Sequence, residues 1–269
     1  DAGMTVIFIT HHLDEVLEVS DKVTVLRDGA VVGTRATKDL DEDTLVKMMV
    51  GREVNFDRRD RKQIDGHTVL ELKELFARDD RGLPALRDVN LKVRSGEIVG
   101  IVGVDGNGQT ELAEVVSGLR APSHGEILLE GKAVEGSDPR HMREAGLAHV
   151  PADRLVRGVN PGADIATNIL MGRQHADPWA KNGVIRWGRV RDYARELMQR
   201  FDIRAKDDYV PVKTLSGGNM QKVVVAREFS QHMPLLLIDQ PTRGVDIGAM
   251  EGIHDEIIRR RDAGAAILL

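Results

Sequence analysis

Short apolar runs alternate with amphipathic stretches along most of the chain. An apolar or alternating run of about four to eight residues predicts a strand, because it is long enough to cross a sheet and too short for a typical helix. Such runs predict strands at residues 4–9, 22–27, 69–75, 89–93, 98–102, 235–239 and 265–269. The Asp28-Gly29 pair after the second run is a strong signal for a two-residue hairpin.

Apolar residues recur at helical spacing between several of these runs. A helix is predicted after the 98–102 strand, because four apolar residues fall on one of its faces. They are Leu112, Val115, Val116 and Leu119. Further helical segments are predicted at 13–17, 45–49, 190–201 and 247–257. Since strands and helices alternate, the sequence predicts an α/β fold with a largely parallel sheet.

The stretch from 52 to 66 interrupts this pattern, because nearly all of its residues are charged or polar. We expect a charged linker there, between a segment at 1–51 and a larger domain at 67–269. Both segments contain Asp-Ala-Gly followed by an apolar run, which indicates an internal repeat, with chance recurrence of a short motif as the alternative. The copies begin at Asp1 and at Asp262.

The composition narrows the functional classes. Of the 269 residues, 41% are hydrophobic and 30% charged, which is the balance of a globular protein, and no apolar stretch approaches the length of a membrane span. A net charge of -5 with scattered Lys and Arg argues against a nucleic acid partner. The absence of cysteine excludes disulfides and thiolate metal sites and fits a cytoplasmic location. Because the chain opens on Asp1, we expect a piece of a longer protein.

A glycine-rich turn follows the 98–102 strand and opens the next helix, where a phosphate-binding loop must lie. Its candidate nucleotide-binding residues are Gly103, Gly106, Asn107, Gly108, Gln109 and Thr110. Glycines leave backbone N–H groups open to phosphate, and the Thr110 hydroxyl can reach a magnesium ion. Gln109 replaces the lysine of the usual G-x-x-x-x-G-K-[ST] pattern, so we expect binding weakened about tenfold. The alternative is a plain glycine turn; a dinucleotide-binding loop fits worse, because Glu111 stands where glycine is needed.

The apolar run at 235–239 ends in a carboxylate. Asp239 is therefore a candidate magnesium ligand, bound directly or through water. A cap at the end of the strand is an equally good interpretation of this residue alone.

A serine and two glycines precede the helix that follows residue 216. Such a helix start exposes N–H groups at the positive end of the helix dipole and binds anions, although a plain serine N-cap is the alternative. The motif, with Gln221 two residues beyond it, resembles the signature of ABC transporters. It comprises Leu215, Ser216, Gly217, Gly218 and Asn219. The resemblance implies that the first four bind the γ-phosphate of a nucleotide held by an opposite domain.

The same resemblance implies roles for other residues. Asp239 becomes the Walker B carboxylate, and Gln240 stands where active members carry a glutamate that polarises the attacking water. Glutamine cannot accept a proton, and loss of a general base typically costs about 10²- to 10⁴-fold in rate. Asp246 would contact the partner domain, and His11 resembles the switch histidine that contacts γ-phosphate.

Two positions depart from the family pattern or carry no clear signal. The segment 148–154 stands where a glutamine-containing loop is expected, but Ala152 or Asp153 occupies the glutamine position. Phe76 is a candidate for stacking on adenine, with an ordinary core phenylalanine as the alternative.

Taken together, the motifs resemble the second nucleotide-binding domain of bacterial simple-sugar and nucleoside ABC importers, the ribose and galactose class. The implied fold is a P-loop NTPase-like domain with a mainly parallel core sheet, an antiparallel β subdomain and a helical subdomain. Residues 1–51 would be the tail of a first such domain, and 67–269 a second one truncated at its C-terminus. Since 1–51 would then match what the second domain lacks, a further hypothesis is that they complete it, within the chain or between chains.

The resemblance implies an importer subunit that couples ATP, with Mg²⁺, to transport. The chain's own site, with Gln109 and Gln240, would be degenerate, so we expect little or no hydrolysis by the chain alone. The intact signature would act in trans on the first domain's site, whose switch is His11. Implied partners are that first domain, transmembrane permease subunits and, indirectly, a periplasmic or lipoprotein substrate-binding protein, with the subunit peripheral on the inner membrane face. The alternatives are an inactive structural or regulatory ABC domain and a soluble ABC ATPase not linked to transport.

Overall fold

The computed structural model describes residues 3–10, 12–27, 29–52, 66–104, 106–134, 138–245 and 247–269. The chain divides into two compact units. One comprises residues 1–60 with 246–252, and the other residues 61–245 with 253–269.

The smaller unit contains two helices and a hairpin. They are α1 (Leu13–Val19), β1 (Lys22–Arg27), β2 (Ala30–Ala36) and α2 (Glu42–Val50). Arg27 pairs with Ala30 across the antiparallel ladder, which confirms the predicted hairpin. The Asp41 carboxylate accepts a hydrogen bond from the N–H of Thr44 at 2.8 Å and so caps α2. A small buried core holds these elements together; it consists of Leu13, Val25, Leu45 and Val46.

The prediction of a buried strand at residues 4–9 was wrong. The segment forms neither helix nor strand, and Ile7 and Ile9 are 89% and 95% exposed. An apolar run becomes a buried strand only where neighbouring strands accept its backbone hydrogen bonds. No strand in the described part of the chain pairs with this segment.

The rest of the chain alternates strands and helices. The strands are β3 (Thr68–Arg78), β4 (Pro84–Arg94), β5 (Ile98–Val99), β6 (His124–Leu129), β7 (Lys132–Ala133), β8 (Leu147–Val150), β9 (Ala180–Lys181), β10 (Val184–Ile185), β11 (Leu235–Ile238) and β12 (Ala266–Leu268). The helices are α3 (Gln109–Val116), α4 (Pro139–Glu144), α5 (Ile165–Leu170), α6 (Trp187–Arg200), α7 (Gly217–Phe229) and α8 (Ile247–Asp262). None of the described helices is long and apolar enough to cross a membrane.

A parallel sheet lies at the centre of the larger unit, in the order β5-β12-β11-β8. Its two middle strands are buried along their whole length, as expected for strands covered on both faces. All four strands come from residues 98–268, so the sheet gives no support to the hypothesis that residues 1–51 complete it. The predicted parallel core is confirmed.

An antiparallel sheet and a group of helices complete this unit. The sheet has the order β4-β3-β6-β7, and its apolar face packs with α3 and the parallel sheet into one core. Helices α5, α6 and α7 pack on one another and form the helical part. The architecture confirms the predicted combination of parallel core, antiparallel sheet and helical subdomain.

Two predicted elements end early. Strand β5 stops at Val99, and Val102 is 97% exposed. Helix α3 stops at Val116, because Gly118 adopts a left-handed φ of +76°, and Leu119 is consequently exposed rather than in the core.

Candidate nucleotide-binding site

The parallel sheet brings the phosphate-loop candidate and Asp239 to one edge. The loop follows β5, Asp239 follows β11, and only β12 lies between these two strands. Adjacent strands are spaced about 4.8 Å apart, so the ends of β5 and β11 are about 10 Å from each other. The glycine loop and Asp239 therefore follow strands of the same parallel sheet, at its same edge.

The loop between β5 and α3 depends on glycine. Gly106 and Gly108 have φ values of +87° and +101°, which residues with a Cβ atom rarely adopt. A Cβ at Gly108 would also lie only 2.8 Å from the carbonyl oxygen of Ala85. The N–H of Asn107 donates to the carbonyl of Val104 at 3.2 Å and closes the turn. The loop is therefore a tight backbone cradle at a helix N-terminus, the geometry that suits phosphate.

Gln109 folds back on this cradle. Its Nε2 donates to the carbonyl oxygen of Val104 at 3.2 Å, and it lies so close to Gly103 that a Cβ there would collide with the amide. The loop therefore holds a neutral amide, bonded to its own backbone, where a cation would bind phosphate more strongly. Thr110, in the first turn of α3, is exposed.

Asp239 is half-buried at the end of β11, and its N–H donates to the carbonyl of Val150 at 2.8 Å. Burial raises the pKa of the Asp239 carboxyl, and the charges of Arg243 and Arg157 oppose that rise. Because burial penalises its charge, this carboxylate would gain from a nearby cation such as magnesium. Gln240 is exposed, with a left-handed φ of +45°.

We expect Asp239→Asn to stabilise the chain at neutral pH. The folded state holds the Asp239 proton to higher pH than the unfolded state, so the ionised carboxylate costs stability once the pH rises above its unfolded pKa. The gain should stay below about 1 kcal/mol, since the group is partly screened by water. Urea unfolding at pH 7 and at pH 3.5 measures it, and a gain that persists unchanged at the lower pH would contradict this cause.

The candidate signature lies at the start of α7. Ser216 accepts hydrogen bonds from the N–H of Asn219 at 3.4 Å and from its Nδ2 at 3.0 Å, so it is the N-cap. Leu215 and Gly218 are partly buried beside it. Ser216 thus caps the helix through the N–H of Asn219, and this bond does not use the N–H groups of Gly217 and Gly218, which can face an anion.

The structure does not assign a place in this geometry to several predicted site residues. His11 and Asp246 lie outside the described residues. Phe76 is partly buried, with its ring centroid 6.0 Å from that of His124, and its role towards adenine stays a prediction. Asp153 accepts hydrogen bonds from the two backbone N–H groups that follow Arg154, at 2.9 and 3.0 Å, and so caps a π-helical turn at Arg154–Gly158.

The structure adds contacts that the sequence did not predict. Arg157 pairs with Glu114 of α3 at 2.5 Å, and so ties the turn after β8 to the helix of the phosphate loop. Arg154 donates to the carbonyl of Arg243, which lies 89 residues further along the chain, at 2.7 Å. Gln221 donates to the carbonyl of Pro241 at 2.9 Å. Local spacing carries no signal for these contacts, because each joins segments far apart in sequence.

Comparisons with known proteins point to one family. The family model described as ABC transporter matches residues 86–243. The guanosine import ATP-binding protein NupO of Bacillus subtilis is 43% identical over 251 residues, which are 93% of this chain and 49% of that protein. The ribose import ATP-binding protein RbsA 1 of Rubrobacter xylanophilus is 40% identical over 269 residues, which are 100% of this chain and 52% of that protein. The chain spans about half the length of these curated relatives.

Solved structures share the fold. A dimeric bacterial ABC transporter cassette superposes with a TM-score of 0.63 at 22% identity, over 74% of this chain and 86% of that one. The ATP-binding subunit of an ABC transporter gives a TM-score of 0.59 at 24% identity, over 75% of this chain and 78% of that one. At these identities the likeness concerns the fold alone.

Proposed function

We propose that this chain, which belongs to the ABC transporter family, is part of the ATP-binding subunit of an importer for simple sugars or nucleosides. The glycine cradle between β5 and α3 is the observation that supports nucleotide binding, because its backbone is shaped for phosphate. The substrate class rests on the import proteins for guanosine and ribose, whose sequences align with nearly the whole chain.

The chain's own nucleotide site is degenerate in this proposal. Gln109 supplies an amide in place of a cation, and Gln240 supplies no base to activate water. Thr110 and Asp239 would hold Mg²⁺, which would neutralise phosphate charge when bound. The half-buried Asp239, whose charge burial disfavours, fits such an ion. We therefore expect nucleotide binding with negligible turnover by the chain alone.

The signature serves a second cassette in this proposal. The capped start of α7 offers the N–H groups of Gly217 and Gly218, which the cap does not use, to the γ-phosphate of a nucleotide held by another domain. That domain would belong to the same polypeptide, with residues 1–51 as its tail, 52–66 as linker and 67–269 as the second domain. His11 would then act in the first domain's site, and Asp246 at the contact between the domains. Permease subunits and, indirectly, a substrate-binding protein would be the other partners at the inner membrane face.

The first test is calorimetric titration of the chain with ATP and Mg²⁺, comparing the wild type with Gln109→Lys. The variant should bind about tenfold more tightly, since a charge-assisted hydrogen bond replaces a neutral one. Gln109→Ala is the control, because it frees Val104 and Gly103 from the amide without adding charge. It should gain much less affinity than Gln109→Lys.

The outcomes separate the two principal functions. Tightening in the lysine variant supports a degraded but genuine phosphate loop. Absence of binding in all three proteins would favour a purely structural or regulatory ABC domain and would overturn the proposed nucleotide site. Steady ATP turnover by the wild type that Asp239→Asn abolishes would contradict the degenerate site.

A further inference from the structure

Arg154 lies where three segments of the larger unit meet. It begins the π-helical turn after β8, and its Nη1 and Nη2 donate to the carbonyl oxygens of Arg243 and Gly244 at 2.7 and 3.5 Å. The third segment is the start of α7, where a Cβ at Gly217 would lie 2.7 Å from Arg154 Nη2. One guanidinium thus bonds the loop after β11 and rests against the first residue of the signature helix.

The space at Gly217 is shaped by this contact. The same Cβ would lie 3.2 Å from the carbonyl oxygen of Gly244, so helix and loop approach at a position without a side chain. Gly244 itself has a left-handed φ of +64°, and a Cβ on it would lie 3.2 Å from Arg154 Nη2. Both glycines therefore make room for the guanidinium.

A second bond joins the same two segments further along α7. Gln221 is buried, and its Nε2 donates to the carbonyl of Pro241 at 2.9 Å. The loop is thus held to α7 at two points, directly by Gln221 and through Arg154 at the helix start. A planar guanidinium can bond two successive carbonyls at once, which an ammonium group cannot do in the same geometry.

We propose that Arg154 is a positioning residue, which fixes the start of the signature helix relative to the Arg243–Gly244 loop. Its importance for transport rests on the proposed function, in which the signature must meet a nucleotide held by another cassette. Arg154 touches neither that nucleotide nor the phosphate loop of this chain in the proposal. It acts through the backbones of Gly217 and Gly244, which it holds at a fixed distance from each other.

The proposal predicts coupling between Arg154 and Gly217 in a double-mutant cycle. In the wild type, Gly217→Ala should raise the equilibrium constant for unfolding about tenfold, because the added methyl group displaces the Arg154 guanidinium. In Arg154→Ala the same change should cost at most about twofold, because only the 3.2 Å contact with the Gly244 carbonyl oxygen remains and alanine favours a helix over glycine. Gly188→Ala, in the first turn of α6 with open space around it, is the matched control and should show no coupling to Arg154.

Amide resonances give a readout that a general loss of stability would not move. In ¹H–¹⁵N spectra of the folded protein, Arg154→Ala should shift the signals of Gly217 and Gly244 and leave that of Gly188 in place. Arg154→Lys should move these signals part of the way back to their wild-type positions, because lysine can still bond one carbonyl. If the Arg154→Ala variant does not fold, Arg154→Gln takes its place in the double-mutant cycle.

Equal effects of Gly217→Ala in both backgrounds, or unshifted signals of Gly217 and Gly244, would overturn the positioning role. Neither measurement needs nucleotide, so this failure is distinct from failure of the ATP titration. Coupling without ATP binding would retain Arg154 as a positioning residue and reject only the nucleotide site.

Discussion

Replacing Glu228 by glutamine should lower the free energy of unfolding by about 3–5 kcal/mol, because two arginines would lose the carboxylate that balances their charge. Glu228 is fully buried on α7. Arg143 donates to it through Nη1 and Nη2 at 2.9 and 3.2 Å, and Arg227 through Nε at 2.6 Å. Burial alone would raise the pKa of Glu228, but these two arginines outweigh burial and hold that pKa below its usual value.

The measurement is urea unfolding of the wild type and Glu228→Gln at pH 7. Glu144→Gln is the matched control, because its partner Arg140, at 2.7 Å, forms an exposed pair on α4. Such a pair contributes about 0.5 kcal/mol or less. Similar losses in the two variants would show that the buried cluster does not carry the stability assigned to it.

The sign of the pH dependence follows from the direction of the Glu228 shift. Its folded pKa lies below the unfolded one, so its stabilisation is complete above the unfolded pKa and is lost as the pH falls through the folded value. Glu228→Gln should therefore differ most from the wild type at neutral pH, and the difference should shrink in strong acid.

Substituting His149 should remove about 3 kcal/mol of acid sensitivity between pH 7 and pH 4. His149 lies on β8, and its Nε2 is buried without a hydrogen-bond partner. Burial lowers the pKa of His149 to about 4; the charge of Glu228 opposes this, while those of Arg143, Arg157 and Arg227 reinforce it. In the unfolded chain His149 takes up a proton near pH 6.5, whereas in the folded chain it does so only near pH 4. Stability is therefore lost as the pH falls from about 6.5 to about 4.

Two variants, His149→Leu and His149→Asn, separate titration from packing. Each removes the proton site, so each should show a flatter dependence of unfolding free energy on pH than the wild type. Their absolute stabilities at pH 8 should differ, because leucine and asparagine fill the site differently. A wild-type slope retained in both variants would mean that other groups account for the acid sensitivity.

Much of the fold followed from local patterns. The alternating run at residues 22–27 with its Asp28-Gly29 turn became the β1–β2 hairpin, and the run at 235–239 became β11. Glycine spacing after β5 identified the loop whose φ values require glycine at 106 and 108. These features depend on backbone conformation and on residues close in sequence, which a single chain displays directly.

Contacts between distant segments were out of reach of such patterns. The amide of Gln109 bonds its own loop, Arg154 joins carbonyls 89 and 90 residues away, and Arg143 meets Glu228 across 85 residues. Each depends on how helices and strands pack, and a charged residue read alone has a solvated surface as its commonest setting.

The two copies of the internal repeat show what the sequence determines and what the tertiary structure determines. The sequence alone determined that both copies pair Asp-Ala-Gly with an apolar run fit for a strand. Only the tertiary structure decided which copy forms a strand. Ala266–Leu268 is a buried strand between β11 and β5, whereas the run at 4–9 is exposed and belongs to none of the sheets in the described part of the chain. The physical reason is that a strand needs at least one neighbouring strand for its backbone hydrogen bonds, and it is buried only where other elements cover its side chains; Ala266–Leu268 has both, and no described strand pairs with residues 4–9.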